Sequence, residues 1–292
     1  MNVQVFLTTH SNHFLDLTYD YPKDVAICSF EKNDSNFYIK NVGANAKILD
    51  LLGVRNSSVF LSNCVIWTEG VTDRMLLRKL LEINNCIFKE DFHYSFAEYG
   101  GSNLKNFDFV ETENSNGLNI QAISKNNYLV ADNDNIVGES IEILENPKYI
   151  RRRKIESILG KDNFFDKLIE IENLIPYSVW SKVVEMILKN MPSKKIKIKN
   201  TIDNIEEKFN KGLNKYKIGE LLKKYLIEEK EGSSTKYFTS NSIECMGEDK
   251  KLVMEYVIKV IDELKVPMND WPEEAQQLIE SITKFIDTAN KK

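Results

Sequence analysis

The sequence predicts an α/β protein in which helices flank a parallel sheet and a mostly helical C-terminal region follows. Three segments, at 64–70, 92–101 and 128–134, begin with the apolar composition of buried strands and end in acids or glycines. Apolar residues at helical spacing follow the first run directly, over 71–82. Strands that alternate with helices form parallel sheets, and such sheets place functional residues after the carboxyl ends of their strands.

The elements before this unit are short. A β-branched, apolar run at 3–9 predicts a strand, and runs at 25–32 and 36–42 predict a hairpin across the turn-forming residues 33–35. Residues 44–53 have helical spacing, with Gly53 as the expected C-cap.

The C-terminal half consists of amphipathic patterns that predict six helices, separated by prolines and by the EGSSTKYF stretch. The helices are expected at 149–159, 164–175, 178–190, 200–229, 250–265 and 271–289. The change from alternating strands and helices to mostly helical patterns comes at about residue 149.

The composition excludes several classes of protein. Hydrophobic residues make up 42% of the chain, and no run of 18 apolar residues predicts a membrane span. The N-terminus lacks the basic and apolar regions of a signal peptide, and the four cysteines form no CxxC pair. We therefore expect a cytoplasmic protein with no membrane partner. A net charge of -5 argues against nucleic-acid binding over the whole surface but not against local binding.

Four acidic residues follow two of the predicted strands. Glu69 ends the first strand, and Asp73 lies on the first turn of the next helix. Asp132 and Asp134 end the third strand, and residues two apart in an extended chain face the same side. Each acid alone has a simpler explanation, since an acid after a strand often caps the next helix. The joint spacing favours one shared site.

Carboxylates that share a site repel one another unless a cation compensates them. Hard oxygen ligands suit Mg²⁺ or Mn²⁺, and paired ions of this kind are typical of sites that hydrolyse phosphodiester bonds. The four acids therefore predict a site for two divalent ions that cleaves a nucleic-acid backbone or carries out a related phosphoryl transfer.

These segments also resemble a known family. WTEGVTDRMLLRKLL (67–81) and YLVADNDN (128–135) resemble the two signature motifs of the TOPRIM fold, which has a Rossmann-like sheet. FAEYGGSNLKNF (96–107) and IEIENLIP (169–176) resemble further segments of OLD-family (overcoming lysogenisation defect) nucleases. That family includes ATPase–nuclease subunits of anti-phage systems. The resemblance covers residues 1 to about 180 well and the helical tail more loosely.

The resemblance implies a TOPRIM catalytic domain at 63–180, completed by the helical region 181–292. Glu69 and Asp73 would hold one side of the metals, and Asp132 and Asp134 the other. A further ligand would come from a helix, through either Glu170 or Glu172, because residues two apart on a helix do not share a face. A lysine near the scissile phosphate is expected at Lys250 or Lys251; a solvated helix start is the alternative role for both.

VQVFLTTHSNHFLD (3–16) resembles the last signature segment of an ABC-type ATPase domain, where a strand ends in a histidine that senses the γ-phosphate. His10 is the matching residue. The resemblance implies that residues 1–62 are the C-terminal remnant of such a domain plus a connector. A metal pair of His10 and His13 is disfavoured because no third ligand lies near them in sequence. The sequence contains no G-x-x-x-x-G-K-[ST] P-loop. We therefore expect this chain alone not to bind or hydrolyse ATP productively. The rest of the ATPase is expected to lie in a longer protein, to be missing from a truncated gene, or to lie on another chain.

Two basic clusters, RRR at 151–153 and SKKIKIKN at 193–200, are either phosphate contacts or solvated faces. The predicted function is a metal-dependent DNA endonuclease or nickase in anti-phage defence or DNA processing, regulated by an ATPase portion and assembled as a homo-oligomer or with that portion. Topoisomerase and primase activities are disfavoured because no nucleophilic tyrosine domain or zinc module is evident. An inactive TOPRIM remnant that binds nucleic acid or a partner is the alternative, and the sequence leaves DNA or RNA open.

Overall fold

The computed structural model describes residues 5–6, 28–33, 36–41, 62–100, 107–108, 118–119, 124–138, 140–190, 196–199, 204–229 and 250–291. His10 and the helix expected at 44–53 lie outside these residues, as does most of the strand expected at 3–9.

The central sheet has four strands in the order β4-β3-β7-β8. They are β3 (Val65–Thr68), β4 (Ser95–Glu98), β7 (Asn127–Val130) and β8 (Phe164–Phe165), and both β3–β4 and β7–β8 pair in parallel. β3 and β7 are buried along their whole length, as continuous apolar strands of a parallel sheet usually are. The expected α/β class with a parallel sheet flanked by helices is confirmed.

Three short strand pairs lie outside this sheet. β1 (Cys28–Asn33) and β2 (Asn36–Asn41) form the predicted antiparallel hairpin. β5 (Phe107–Asp108) and β6 (Leu118–Asn119) pair in parallel. β9 (Ile196–Ile198) and β10 (Ile227–Glu229) pair antiparallel.

Eight α-helices lie in the described residues, and most of them fall in the C-terminal half. They are α1 (Val71–Ile83), α2 (Ile141–Leu144), α3 (Pro147–Leu159), α4 (Tyr177–Asn190), α5 (Ile205–Gly212), α6 (Ile218–Leu221), α7 (Lys250–Leu264) and α8 (Glu273–Asn290). Short 3₁₀ helices occur at Lys161–Asn163, Ile171–Leu174 and Met268–Asp270, and a π-helix at Leu222–Leu226. Within the described residues, none of these helices combines the length and apolarity needed to cross a bilayer.

Two predicted helices are wrong. The segment 164–175 instead begins as β8, because Phe164 and Phe165 pair with Leu129 and Val130 in the sheet. Only its end is helical, as the 3₁₀ turn Ile171–Leu174. Strand pairing therefore overrides the helical spacing of its apolar residues.

The single helix expected at 200–229 is divided into α5, α6, the π-helix and β10. The amide of Asn173 donates to the carbonyl oxygens of Leu213 (2.6 Å) and Tyr216 (2.9 Å). In a continuous helix those carbonyls would accept from the residues four positions later. The helix is thus interrupted where a side chain from another segment takes its acceptors.

The chain forms two compact units, one comprising 1–68, 88–128 and 285–292 and the other 69–87 and 129–284. In the first, the fully buried Trp67 donates its indole N–H to Asn127 Oδ1 at 2.9 Å. In the second, α7 packs against both α1 and α4, and Trp180 is fully buried. The region boundaries expected at 62 and 180 stay a prediction.

Candidate metal centre

The turn between β3 and α1 carries the first two acids, Glu69 and Asp73. Asp73 is buried, and its Oδ2 accepts hydrogen bonds from the backbone N–H of Glu69 (2.9 Å) and of Gly70 (3.2 Å). The hydroxyl of Thr72 lies 3.3 Å from Asp73 Oδ1. A helix leaves its first N–H groups without backbone partners, and a side-chain acceptor at this place satisfies them. Asp73 therefore caps its own helix and fixes the backbone of Glu69.

The second acid-bearing segment is the loop 131–136, which follows β7. The N–H of Asn133 donates to the carbonyl of Leu168 at 2.7 Å, so the loop is tied to the chain that follows β8. Asn133 Oδ1 accepts from the N–H of Asn135 at 2.8 Å, which closes a tight turn. Asp134 and Asn135 have φ angles of 53° and 61°, in the left-handed region. These bonds place Asp132 beside the segment that carries Glu170 and Glu172.

A buried arginine holds the same loop from the inside. Arg152 lies on α3 and is only 3% exposed. Its Nη1 donates to the carbonyl of Asp132 at 3.1 Å and its Nη2 to the carbonyl of Ile136 at 2.6 Å. Its Nε lies 3.6 Å from a carboxylate oxygen of Asp166. The interpretation of this residue as a phosphate contact or a solvated charge is therefore wrong.

The third acidic segment is not a helix, contrary to expectation. Glu170 has extended backbone and precedes the 3₁₀ turn that contains Glu172. Oε2 of Glu170 accepts from the N–H of Ile218 at 3.2 Å, and Oε1 lies 3.7 Å from Lys217 Nζ. Burial and then the charge of Glu172 raise the pKa of Glu170 to about 7, although the Ile218 N–H and nearby lysines oppose this. Glu170 thus has partners of its own, which distinguishes it from Glu172.

Acids of the first and third segments contribute to the raised pKa values of Asp73 and Asp132. Burial and then the charges of Asp73, Glu172 and Glu69 hold the pKa of Asp132 well above its ordinary value. The pKa of Asp73 rises to about 7, because burial and the charges of Glu172 and Glu69 outweigh its backbone hydrogen bonds. The charges of Glu69, Asp73, Asp132 and Glu172 therefore act on a common region, and we call these four residues the acidic centre.

Three members of the acidic centre accept no side-chain hydrogen bond from the part of the chain that the structure describes. Among the described residues, none donates to the side-chain oxygens of Glu69, Asp132 or Glu172. Glu69 and Asp132 are half-buried and Glu172 is buried, so their charges are partly removed from water. A proton or a bound cation relieves the cost of such charges. Their oxygens are the ligands that Mg²⁺ and Mn²⁺ prefer.

The carboxylates of the acidic centre do not surround a common point at which an ion could bind, however. In the parts of the chain that the structure describes, no group of three or more His, Cys, Asp or Glu side chains is spaced to hold a metal ion. The chemistry of the donor set fits a hard cation, and its side chains would have to turn inward to surround one.

Asp134 differs from the other expected ligands. Its Oδ2 lies 2.6 Å from Lys148 Nζ, and its Oδ1 lies 3.9 Å from Lys217 Nζ. Its charge still raises the pKa of Glu69, where burial is the larger cause. Asp134 thus lies at the edge of the acidic centre and is paired with lysines.

The two expected lysines have different surroundings. Lys250 begins α7, and although burial lowers its pKa, the charges of Glu172, Glu170 and Asp132 raise it overall. Lys251 Nζ lies 3.9 Å from Glu255, and its side chain is 55% exposed. Of the two, Lys250 is the lysine whose charge interacts with the acids of the centre.

Sequence reasoning missed Lys217 and Asn173, and it gave Arg152 another role. Lys217 lies within the helix that was wrongly expected at 200–229. Asn173 and Arg152 donate to backbone carbonyls that are distant in sequence, and no spacing of residues indicates such contacts. The only local sign of the role of Asn173 is the segment IEIEN (169–173), which places its amide directly after the two glutamates.

Comparison with known proteins adds no identification: no protein-family model matches the chain, and neither a curated protein nor a solved structure matches it. The likeness to OLD-family nucleases rests on the motif residues alone.

Proposed function

We propose that this chain is a divalent-metal-dependent nuclease that hydrolyses phosphodiester bonds in DNA, with Mg²⁺ or Mn²⁺ held by Glu69, Asp73, Asp132 and Glu172. In this proposal an ATPase portion outside the chain regulates it, as the motif resemblance implies. Asp134 and Glu170 lie beside the acidic centre and orient it.

One observation supports this proposal above the others. Burial and the charges of acids from three separate chain segments raise the pKa values of Glu69, Asp73 and Asp132, and Glu69, Asp132 and Glu172 have no donor among the described residues. In a protein that needed these acids only for folding, a pairing residue would be expected beside them, because like charges that are partly removed from water are destabilising. A site that binds cations has to leave such oxygens available.

The surrounding residues have definable roles. When bound, divalent ions polarise a phosphoryl group and favour attack by water. Asp73 keeps the turn that carries Glu69 in place through its two backbone hydrogen bonds. Lys250 stays protonated at neutral pH because the acids raise its pKa, so it can bind a phosphate oxygen.

A non-catalytic role is the second candidate, and one observation favours it. No set of ligands among the described residues is arranged for a metal ion, and Asp134 is paired with Lys148. In this alternative the chain binds nucleic acid or a partner without cutting.

A paired measurement of cutting and metal binding separates the two. Plasmid nicking with Mg²⁺ or Mn²⁺ is followed for the wild type, Asp132→Asn and Glu172→Gln, while Mn²⁺ binding is measured by calorimetry. The control is Asp270→Asn, which removes the same charge from an exposed aspartate. We expect both centre variants to lose nicking and Mn²⁺ binding and the control to keep both. Equal nicking by all four proteins, or none by the wild type with either ion, would overturn the proposal.

A further inference from the structure

A cluster of tyrosines and lysines lies next to the acidic centre. Lys224 Nζ lies 4.5 Å from the centre of the Tyr216 ring and 5.3 Å from that of Tyr225. Lys217 follows Tyr216 directly in the chain. We call Tyr216, Lys217, Lys224 and Tyr225 the tyrosine–lysine surface.

The acidic segment fixes the position of this surface. Asn173 donates to the carbonyl of Tyr216, and Glu170 accepts from the N–H of Ile218. The residues on both sides of Lys217 are thereby bonded to the segment that carries Glu172. The tyrosine–lysine surface is therefore held at a set distance from the acidic centre by short polar bonds.

Lys217 belongs to the tyrosine–lysine surface and interacts electrostatically with acids beside the acidic centre. Its ammonium lies 3.9 Å from Asp134 and 3.7 Å from Glu170, distances too long for hydrogen bonds. Its side chain is 25% exposed. The donors of Lys217 are thus not taken up by these two acids, and they can bind a phosphate that approaches the acidic centre.

Charge and backbone geometry set this region apart. Residues 193–229 contain ten lysines and six acidic residues, in a chain whose net charge is -5. Lys224 and Tyr225 lie in the π-helix, a rare conformation that often occurs at functional sites. Lys199, by contrast, donates to the carbonyls of Lys223 and Lys224, so it stabilises the end of this helix and is not free for phosphate.

Lysines bind phosphates, and aromatic rings stack on bases. The faces of bases are hidden in a duplex but available in a single strand, and surfaces that combine cations with aromatic rings are typical of single-strand binding. We infer that the tyrosine–lysine surface binds single-stranded nucleic acid and leads it to the acidic centre. This inference rests on the proposed function and specifies its substrate.

Binding without cutting tests this inference separately from the proposed function. Fluorescence anisotropy with a labelled oligo(dT) of about 20 nucleotides, and with a duplex of equal length, is measured in Ca²⁺ buffer at several salt concentrations. The variants are Lys217→Gln, Tyr216→Leu and Tyr225→Leu, where leucine keeps apolar bulk but not a stacking face. Matched controls are Lys182→Gln and Tyr177→Leu on α4.

We expect the wild type to bind the single strand more tightly than the duplex. Tyr216→Leu and Tyr225→Leu should each weaken single-strand binding at least about fivefold, and the controls should not. Lys217→Gln should lower the slope of log affinity against log salt by about 0.7, the value for one lost phosphate contact. Tighter binding of the duplex, or tyrosine variants that bind like their control at equal thermal stability, would overturn the inference. Wild-type protein that binds the single strand but does not nick DNA would count against the proposed nuclease function and not against this inference.

Discussion

The two loops that deliver the strand-end acids are held in different ways. In the turn after β3, Asp73 accepts from the backbone N–H groups of Glu69 and Gly70, so the acid stabilises its own turn. In the loop after β7, a local bond between Asn133 and Asn135 is joined by bonds from distant residues, and Arg152 donates to the carbonyls of Asp132 and Ile136. One loop is held by residues within five positions, whereas the other also needs a side chain up to twenty positions away.

This difference shows where each loop is vulnerable. The first turn depends on the carboxylate of Asp73, which the other acids of the centre repel. The stability of this turn therefore changes when Asp73 is protonated. The second loop depends on a buried cation whose charge is balanced by Asp166, so its stability depends on that ion pair. Three experiments would break or sharpen the contrast.

The largest effect is expected from Arg152. Arg152→Met keeps the aliphatic stem but leaves the carbonyls of Asp132 and Ile136 without their donor and Asp166 without one of its partners. Removing one partner of a buried ion pair costs about 3–5 kcal/mol. We expect the free energy of unfolding, measured by urea denaturation, to fall by that amount.

A second variant distinguishes the ion pair from the loop contacts. Arg152→Met combined with Asp166→Leu removes both charges and should recover part of the loss, whereas Lys154→Ala on the exposed side of α3 should change little. If Arg152→Met unfolded at the same urea concentration as Lys154→Ala, Arg152 would not be what holds the loop.

The second effect concerns Asp73 and pH. Because the folded protein raises the pKa of Asp73 from 3.8 to about 7, the folded state binds this proton more tightly than the unfolded state. The metal-free protein should therefore be most stable below pH 4 with respect to this group and lose stability as the pH rises to about 7. The loss is on the order of a few kcal/mol.

Asp73→Asn provides the comparison for this effect. Asparagine keeps an oxygen that accepts from the turn but carries no charge, so the variant should lose less stability between pH 4 and pH 7. Unfolding curves across this range, recorded with EDTA and with Mn²⁺, provide the measurement. Parallel pH profiles for the wild type and Asp73→Asn would contradict the expectation, as would stability that rises with pH in both.

The first turn could be predicted from sequence because its interactions are local. An apolar strand followed by Glu69 and Asp73 predicts a strand, a turn and a helix, and the structure has β3 and α1 there. The hairpin β1–β2 was predictable for the same reason. Periodicity and turn residues record contacts between near neighbours, so these elements follow from short stretches of sequence.

The strand β8 and the interruption of the helix expected at 200–229 depend on contacts between distant residues, which the periodicity of a sequence does not indicate. Phe164 and Phe165 have helical neighbours in sequence but pair with β7, and Asn173 takes the carbonyls that a long helix through Tyr216 would need. The sequence left open whether Glu170 or Glu172 is the metal ligand, because both were expected on a helix at 164–175. In the structure, Ile218 and Lys217 engage Glu170, and Glu172 is the acid without a donor among the described residues.

The smallest effect is expected at the outer edge of the second loop. Lys148 Nζ lies 2.6 Å from Asp134, but its side chain is 62% exposed, and exposed ion pairs contribute only about 0–1 kcal/mol. Lys148→Ala should therefore lower the free energy of unfolding by no more than Lys182→Ala, which removes another exposed pair, with Glu185. A loss comparable to that of Arg152→Met would show that the loop is held from its solvent side as well. A small loss leaves the buried arginine as its main support, so that Asp134 can exchange Lys148 for another cation at little cost.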